Sequence, residues 1–569
     1  MKKLAAFAPL ALILGGCATA DALSGPPIAQ ERSGGAVSSA DPRADAAGTA
    51  ILAKGGSATD AAIAVMLALT VVEPQSSGIG GGGFLVHSDG QDIITYDGRE
   101  TAPATATGTR FLDENGERLP TEQRVMSGLS VGVPGNIALA AKAHAEHGKL
   151  PWRDLFEPAI KLARDGFTVN VRLNESLSER KDRAGKTAAA QAVFFGSDGE
   201  AKAVGSRVTI PALADTLEKL ADQGPAAMYG DGAEALANYV AQETPQDGRM
   251  TVTDVTGYQA KTRDAVCTDY REFKICGMGP PTSGGVAVSQ MLGQLERFDL
   301  SALGPNNPTF WHLFLESQRV AYADRDLYLG DSDFVSVPVN GLLDPAYIAK
   351  RSALIDPDKA LASVEAGVPA GAPLALGKGA QSHESGTTHF SVVDGEGNAV
   401  SYTSTIEGAF GSGLYFNGYY LNNELTDFSA TPEENGKPVA NRVEGGKRPR
   451  SSMAPTIVFN KDGDVVLIIG AAGGPTIPVQ VARSIIGVID FDMSARDALG
   501  LPFIMSFGSA AVIEEGSALE AMQDDLKALG HSNIRTFSPP LKANALLRRA
   551  NGSWEVARDP RLDSKLAYE

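Results

Sequence analysis

Residues 386–405 read Gly-Thr-Thr-His-Phe-Ser-Val-Val-Asp-Gly-Glu-Gly-Asn-Ala-Val-Ser-Tyr-Thr-Ser-Thr. β-Branched and aromatic residues flank Gly395-Glu396-Gly397, the pattern of two strands joined by a glycine turn. A turn centred on Glu396 fixes the pairing residue by residue and sets Thr387 opposite Thr405, with Cβ atoms about 4.5–5.5 Å apart. Two threonine hydroxyls then face each other just after the small pair Ser385-Gly386. If the chain is cut before Thr387, that one residue carries a hydroxyl nucleophile and, in its α-amine, a base. Such an amine titrates near pH 8, so a useful fraction is neutral at about pH 7. Taken alone, the stretch reads first as an ordinary threonine-rich hairpin, since β-branched residues are common in strands.

The rest of the chain supplies ample core: 43% of its 569 residues are hydrophobic and 21% charged, a globular composition. A net charge of −18 with no Lys/Arg cluster argues against nucleic acid as a partner. Lys2 and Lys3 precede an apolar run from Leu4 to Leu14, long enough for a signal-peptide core and too short to span a bilayer. The run ends in Leu14-Gly15-Gly16-Cys17, which is similar to the lipobox of bacterial lipoproteins. That similarity implies a signal peptide over 1–17, a lipidated Cys17 as first mature residue, and a small, polar tether over 18–36. Plain secretion with cleavage after Ala18 or Ala20 is the alternative. Both predict export to the periplasm, and the first adds a lipid anchor in the membrane. Cys267 and Cys276 bracket a hairpin turning near Arg271-Glu272, a register that opposes the two cysteines. In an oxidising compartment this suits a cross-strand disulfide, and otherwise two buried thiols. Two cysteines without clustered histidines make no zinc site.

Further motifs occur in order. Asp41-Pro42 opens a helix stopped by Gly55-Gly56, and Ser57 caps an apolar helix over 58–69. Gly78 to Gly83 satisfies G-x-G-x-x-G but lacks the strand before and the helix after that a dinucleotide site needs. It reads instead as a tight loop beneath an active site. Strands are expected at 84–87 and 93–96, followed by Arg99, whose planar fork suits a carboxylate. Gly128-Leu129-Ser130-Val131-Gly132 matches the nucleophile elbow, but Pro134 disfavours the helix that must follow. Helices are expected at 136–147, 152–165, 286–298 and 309–327, and a loose segment at 356–386. His383-Glu384 lacks the second histidine of a metalloprotease, because position 387 is threonine. Glu424 and Asp427 suit an ammonium group, and Ser451-Ser452 a carboxylate. Gly473-Gly474 closes a strand where freed N–H groups suit an oxyanion. Each of these, singly, has a structural explanation as well.

As a set they resemble the γ-glutamyltransferase (glutathione hydrolase) family of N-terminal-nucleophile hydrolases, over nearly the whole chain after about residue 35. The likeness rests on Glu73-Pro74-Gln75-Ser76-Ser77-Gly78 through Gly83-Phe84, Gly98-Arg99-Glu100, Ala321-Tyr322-Ala323-Asp324-Arg325, Gly386-Thr387-Thr388-His389, Leu421-Asn422-Asn423, Asp427-Phe428-Ser429, Arg448-Pro449, Ser451-Ser452-Met453 and Gly473-Gly474. The resemblance implies an α+β fold, a four-layer αββα sandwich that cuts itself between Gly386 and Thr387. Residues 37–386 would form the large chain and 387–569 the small chain of one sandwich. It implies Thr387 as nucleophile on the γ-glutamyl amide, Thr405 orienting it, and the Gly473 and Gly474 N–H groups holding the oxyanion. Arg99, Ser451 and Ser452 would grip the substrate α-carboxylate, and Glu424 and Asp427 the α-ammonium. Partners would be a γ-glutamyl donor such as glutathione, then water or an amino-acid or peptide acceptor, with no metal and no organic cofactor. The sequence departs from the family pattern at Glu407, where many relatives have an asparagine contacting the α-amino group. It departs also at Pro475, where serine is frequent, and in a short connection from Phe428 to Ser451. A glutaryl or cephalosporin acylase of the same fold, and an inactive envelope binding protein, are the alternatives.

Overall fold

Two antiparallel sheets organise the chain, and the hairpin around Glu396 lies inside one of them. The computed structural model describes residues 30–32, 35–373, 375–379, 386–508, 510–538 and 541–568. Cys17, the signal-peptide segment, Glu384 and Ser385 lie outside the described residues. The six-stranded sheet runs Ala36–Ser39, Thr388–Val393, Ala399–Thr405, Gly82–Ser88, Ile93–Asp97, Lys261–Arg263. The seven-stranded sheet runs Gln30–Arg32, Trp554–Arg558, Lys542–Arg548, Val465–Ala472, Thr456–Phe459, Phe273–Met278, Ala265–Tyr270. Within the segment read as a tether, Gln30–Arg32 therefore pairs with Trp554–Arg558, and Ala36 opens a strand. Polar composition did not exclude this, because edge pairing is made by the backbone.

The central hairpin pairs Thr388 with Ser404 through Val393 with Ala399, the register the Glu396 turn dictates. Its side chains alternate between two environments, as strand geometry requires. Phe390, Val392, Val400 and Tyr402 share one apolar core with helices Pro42–Ala53, Ala58–Val72, Asn136–His147 and Pro211–Gln223. A second core joins the other sheet to helices Gly284–Leu295, Pro308–Tyr328 and Ile477–Ile489. Between the sheets the hairpin presents His389, Ser391 and Ser401. The Ser391 hydroxyl donates to the Ile468 carbonyl (3.2 Å) and that of Ser401 to the Ile469 carbonyl (3.1 Å). The Asn544 amide donates to the His389 carbonyl (2.5 Å). His389 hydrogen-bonds Thr403 and Ser391, and burial lowers its pKa to about 3, so the ring is neutral. A Cβ at Gly470 would strike that ring, which explains a glycine in mid-strand.

The expected helix caps are present at Asp41 and Ser57, the latter a full capping box with Asp60, and the second helix continues to Val72. The stretch 152–165 divides into a 3₁₀ turn, Trp152–Leu155, and a helix, Glu157–Asp165. Pro158, which lacks an N–H, starts the second piece rather than continuing the first. Cys267 and Cys276 face each other across the hairpin and are disulfide-bonded. Among the described residues no helix or strand lies between Ser352 and Thr388.

Candidate active site

The loose segment enters the six-stranded sheet through Gly386 and Thr387. The Gly386 N–H donates to the Glu407 carbonyl (2.6 Å) and the Thr387 N–H to the Ser76 carbonyl (2.9 Å). A Cβ on residue 386 would overlap the Glu407 carbonyl oxygen, so close backbone approach demands glycine there. Thr387 has φ +103°, a conformation that a β-branched residue adopts only under strain. Its hydroxyl lies 3.0 Å from that of Thr405. The Thr405 oxygen also accepts the Glu407 N–H (2.8 Å), which fixes it in place. The glycine-rich loop lies directly beneath: a Cβ at Gly81 would fall on the Thr405 carbonyl, and one at Gly80 on that of Tyr420.

Thr387 and Thr405 border a cavity of about 10 Å³, room for one water at most. Arg99, Glu407, Glu424, Asp427, Ser451, Ser452 and Gly474 line the same cavity, with Met453, Pro475 and Ile477 as its apolar wall. Gly473 is not among the lining residues. It carries φ +124° and Gly474 φ +57°, a left-handed turn at the end of strand Val465–Ala472 that favours glycine. Pro475 follows inside a short 3₁₀ turn, Gly474–Thr476. Larger surface clefts of about 540 and 420 Å³ contain none of these residues.

The charges are concentrated on one wall. Arg99 is buried and its guanidinium pairs with both Glu424 and Asp427, while its Nε donates to the Pro449 carbonyl (3.2 Å). Burial alone would lower the Arg99 pKa, but Glu424, Asp427, Glu100 and Glu407 together raise it well above the ordinary value. Glu424 is raised to about 7, chiefly by burial, with Arg99 opposing and Asp427 adding to the rise. Glu100 lies behind, its pKa pushed well above the ordinary carboxyl value by burial and by Glu424, with Arg99 opposing. Glu407, Glu424 and Asp427 bring their carboxylate oxygens within 4.8 Å of one another. Three carboxyl groups thus crowd around the Arg99 guanidinium on that wall.

The serines are held differently. Ser452 Oγ accepts from the Arg325 guanidinium (2.7 Å), and Ser451 Oγ accepts the Met453 N–H (3.1 Å). Arg325 and Tyr322, whose hydroxyl donates to the Pro475 carbonyl, both come from helix Pro308–Tyr328. Their motif was legible, but not their duty of fixing Ser452 and the glycine turn. Asn422, also unassigned by sequence reasoning, binds the glycine loop through Gly80 and accepts from the Gly132 N–H. Ser130 is a structural residue: fully buried, its hydroxyl donates to the carbonyls of Val125 (2.6 Å) and Ser127 (3.0 Å), and the next helix starts only at Asn136.

Residues 44–568 match the gamma-glutamyltranspeptidase family. The chain belongs to that family. It is an enzyme of the γ-glutamyltransferase/hydrolase kind, and the inactive binding-protein alternative falls away. It is 38% identical over 514 residues to the glutathione hydrolase proenzyme of Bacillus subtilis (strain 168), covering 87% of this chain and 85% of that protein. It is 34% identical over 523 residues to the acylase ACY 1 proenzyme of Pseudomonas sp. (strain SE83), covering 90% and 89%. A solved cephalosporin acylase from Bacillus halodurans shares the fold with a TM-score of 0.82, at 24% identity over 98% of each chain.

Proposed function

We propose that the protein is a γ-glutamyl hydrolase/transpeptidase, made as one chain that cuts itself between Gly386 and Thr387. The observation that carries the reading is the Thr387–Thr405 hydroxyl pair at 3.0 Å, bordering the same cavity as Arg99 and three carboxylates. In maturation the Thr387 hydroxyl attacks the Gly386 carbonyl carbon. The Gly386–Thr387 C–N bond breaks, the nitrogen takes the hydroxyl proton, and water hydrolyses the resulting ester. The strained φ of Thr387 favours leaving the uncleaved state. The freed amine then serves as base for its own hydroxyl, which attacks the donor γ-carbonyl; the donor amide C–N bond breaks and its amine leaves with the hydroxyl proton. The acyl group passes from Thr387 to water, or to the amine of an amino acid or peptide. The Gly473 and Gly474 N–H groups would steady the tetrahedral oxyanion.

A γ-glutamyl head group is a zwitterion, and the resting pair of Arg99 with Glu424 and Asp427 is its charge complement. On binding, the α-carboxylate would take over the guanidinium, with Ser451 and Ser452 donating, and the α-ammonium would take over the acids. Glu407 adds a third carboxylate to the ammonium side. A glutaryl acylase is the second reading, favoured by the acylase relative. A glutaryl group carries no ammonium, so the three carboxylates weigh against it. The four-layer αββα arrangement, shared by large and small chains, belongs to the same proposal, as do a lipid anchor at Cys17 and a periplasmic address. Among the described residues no helix is long and apolar enough to cross a membrane. Detergent-phase partition of the full chain and of Cys17→Ser tests the anchor.

The deciding test is intact-mass analysis with N-terminal sequencing, alongside release of glutamate from glutathione and hydrolysis of a glutaryl anilide. A small chain beginning Thr387-Thr388-His389-Phe390 and a strong preference for the γ-glutamyl donor are expected. A single uncut chain in active protein would refute the mechanism.

A further inference from the structure

Behind the Thr387 nitrogen lies a buried ionic cluster that the chemistry described so far leaves unused. The Ser76 carbonyl accepts the N–H groups of both Thr387 (2.9 Å) and Ile406 (3.3 Å), so Ser76 is the direct support of the nucleophile's nitrogen. Its hydroxyl oxygen accepts in turn from two cationic side chains, Lys542 Nζ at 3.1 Å and Arg172 Nη2 at 3.0 Å. Both cations also pair with Glu73, Lys542 at 3.5 Å. Lys542 is 4% exposed, Glu73 1% and Ser76 2%, so water offers them little compensation. Burial, reinforced by Arg172, holds the Lys542 pKa well below that of a free lysine. A lysine placed at such a cost invites the question of what it positions.

Its location supplies an answer. Lys542 opens strand Lys542–Arg548 and pairs with Ala472, the residue before the Gly473-Gly474 turn. Glu73 caps helix Ala58–Val72, and Arg172 lies on helix Val171–Glu179. Two elements on the Gly386 side and one on the Thr387 side of the cut thus meet around the Ser76 hydroxyl, next to both the nucleophile and the oxyanion turn.

We propose that Lys542 is a positioning residue: with Glu73 and Arg172 it fixes Ser76 so that the Ser76 carbonyl holds the Thr387 nitrogen in its working orientation before and after the cut. The inference rests on the reading of Thr387 as nucleophile. In the cleaved enzyme the Thr387 amine has lost its covalent tether to Gly386, so the Ser76 carbonyl is what orients it as a base. Small misplacements of reacting groups are expensive, up to about 100-fold in rate for 1 Å.

The test uses Lys542→Met, Ser76→Ala and the double variant, purified in cleaved form and assayed with γ-glutamyl-p-nitroanilide. Lys542→Met is expected to lower kcat by about 10- to 100-fold while KM stays within about twofold, since the head-group wall is untouched. Ser76→Ala should show the same split, and the double variant should lose no more than either single one, because both act through one hydrogen bond. If Lys542→Met fails to fold, Ser76→Ala, which deletes only a hydroxyl, carries the same expectation. A kcat within about twofold of the parent, a loss confined to KM, or losses that multiply in the double variant would overturn the proposal. Thr387→Ala separates the two levels. Should it still be cut and active, the nucleophile reading itself fails; should it be uncut and inactive while Lys542→Met behaves as the parent, only the role of Lys542 fails.

Discussion

Arg99→Met probes the charged wall most directly. The substitution keeps an unbranched apolar stem but leaves Glu424 and Asp427 buried without the cation that both now engage. Removing one partner of a buried pair typically costs about 3–5 kcal/mol. The cost here depends on pH with a definite sign. Arg99 opposes the burial that has already raised Glu424 to about 7, so its loss raises Glu424 further. A carboxyl whose folded pKa exceeds its unfolded value binds more protons in the folded state, and stability then falls as pH rises between the two values. The deficit of Arg99→Met relative to the parent should therefore be smaller near about pH 5 than near about pH 8, growing as pH rises past about 7. Urea unfolding at the two pH values measures it. Donor binding provides an independent reading. Charge-assisted hydrogen bonds are worth about 1.5–3 kcal/mol, so the donor KM should rise roughly 10- to 100-fold, with a smaller change in kcat. A deficit equal at both pH values, or an unchanged donor KM, would refute the assignment of Arg99 as the cation of the wall.

Other perturbations address the remaining parts of the site. With Glu424 near 7, the donor KM should fall as pH rises through that value, because the deprotonated carboxylate receives the ammonium; a flat KM profile in the parent counts against its role, and Glu424→Gln should flatten it. Gly386→Ala drives a Cβ into the Glu407 carbonyl, so the chain should accumulate uncut, as seen on a denaturing gel. Thr405→Val removes the partner of the Thr387 hydroxyl and strands the Glu407 N–H; kcat should drop by about 100-fold with maturation slowed, and wild-type turnover would exclude an orienting role. Replacing Cys267 and Cys276 by serine opens a short loop and should cost about 2–3 kcal/mol in chemical unfolding while leaving kcat unchanged.

Local features of the chain foretold much of this. The register that sets Thr387 beside Thr405 follows from a period of two and one glycine turn, both carried within twenty-odd consecutive residues. The caps at Asp41 and Ser57, the facing cysteines and the long helix ending near Arg325 are likewise local, since each depends on neighbours within a few positions. The residue types of the wall were legible as acids and serines in loops, and so was a glycine pair at a strand end. Their partnerships were not. Arg99 was expected to wait for a carboxylate, yet at rest it engages the very acids expected to hold an ammonium, 325 and 328 positions away. Lys542 reaches Ser76 across 466 positions, and Arg325 reaches Ser452 across 127. Periodicity says which face of an element is buried, but not which distant element it meets. That choice is made when the two sheets and their helices pack, where burial removes water as a competitor and obliges each charge to find a partner within the fold.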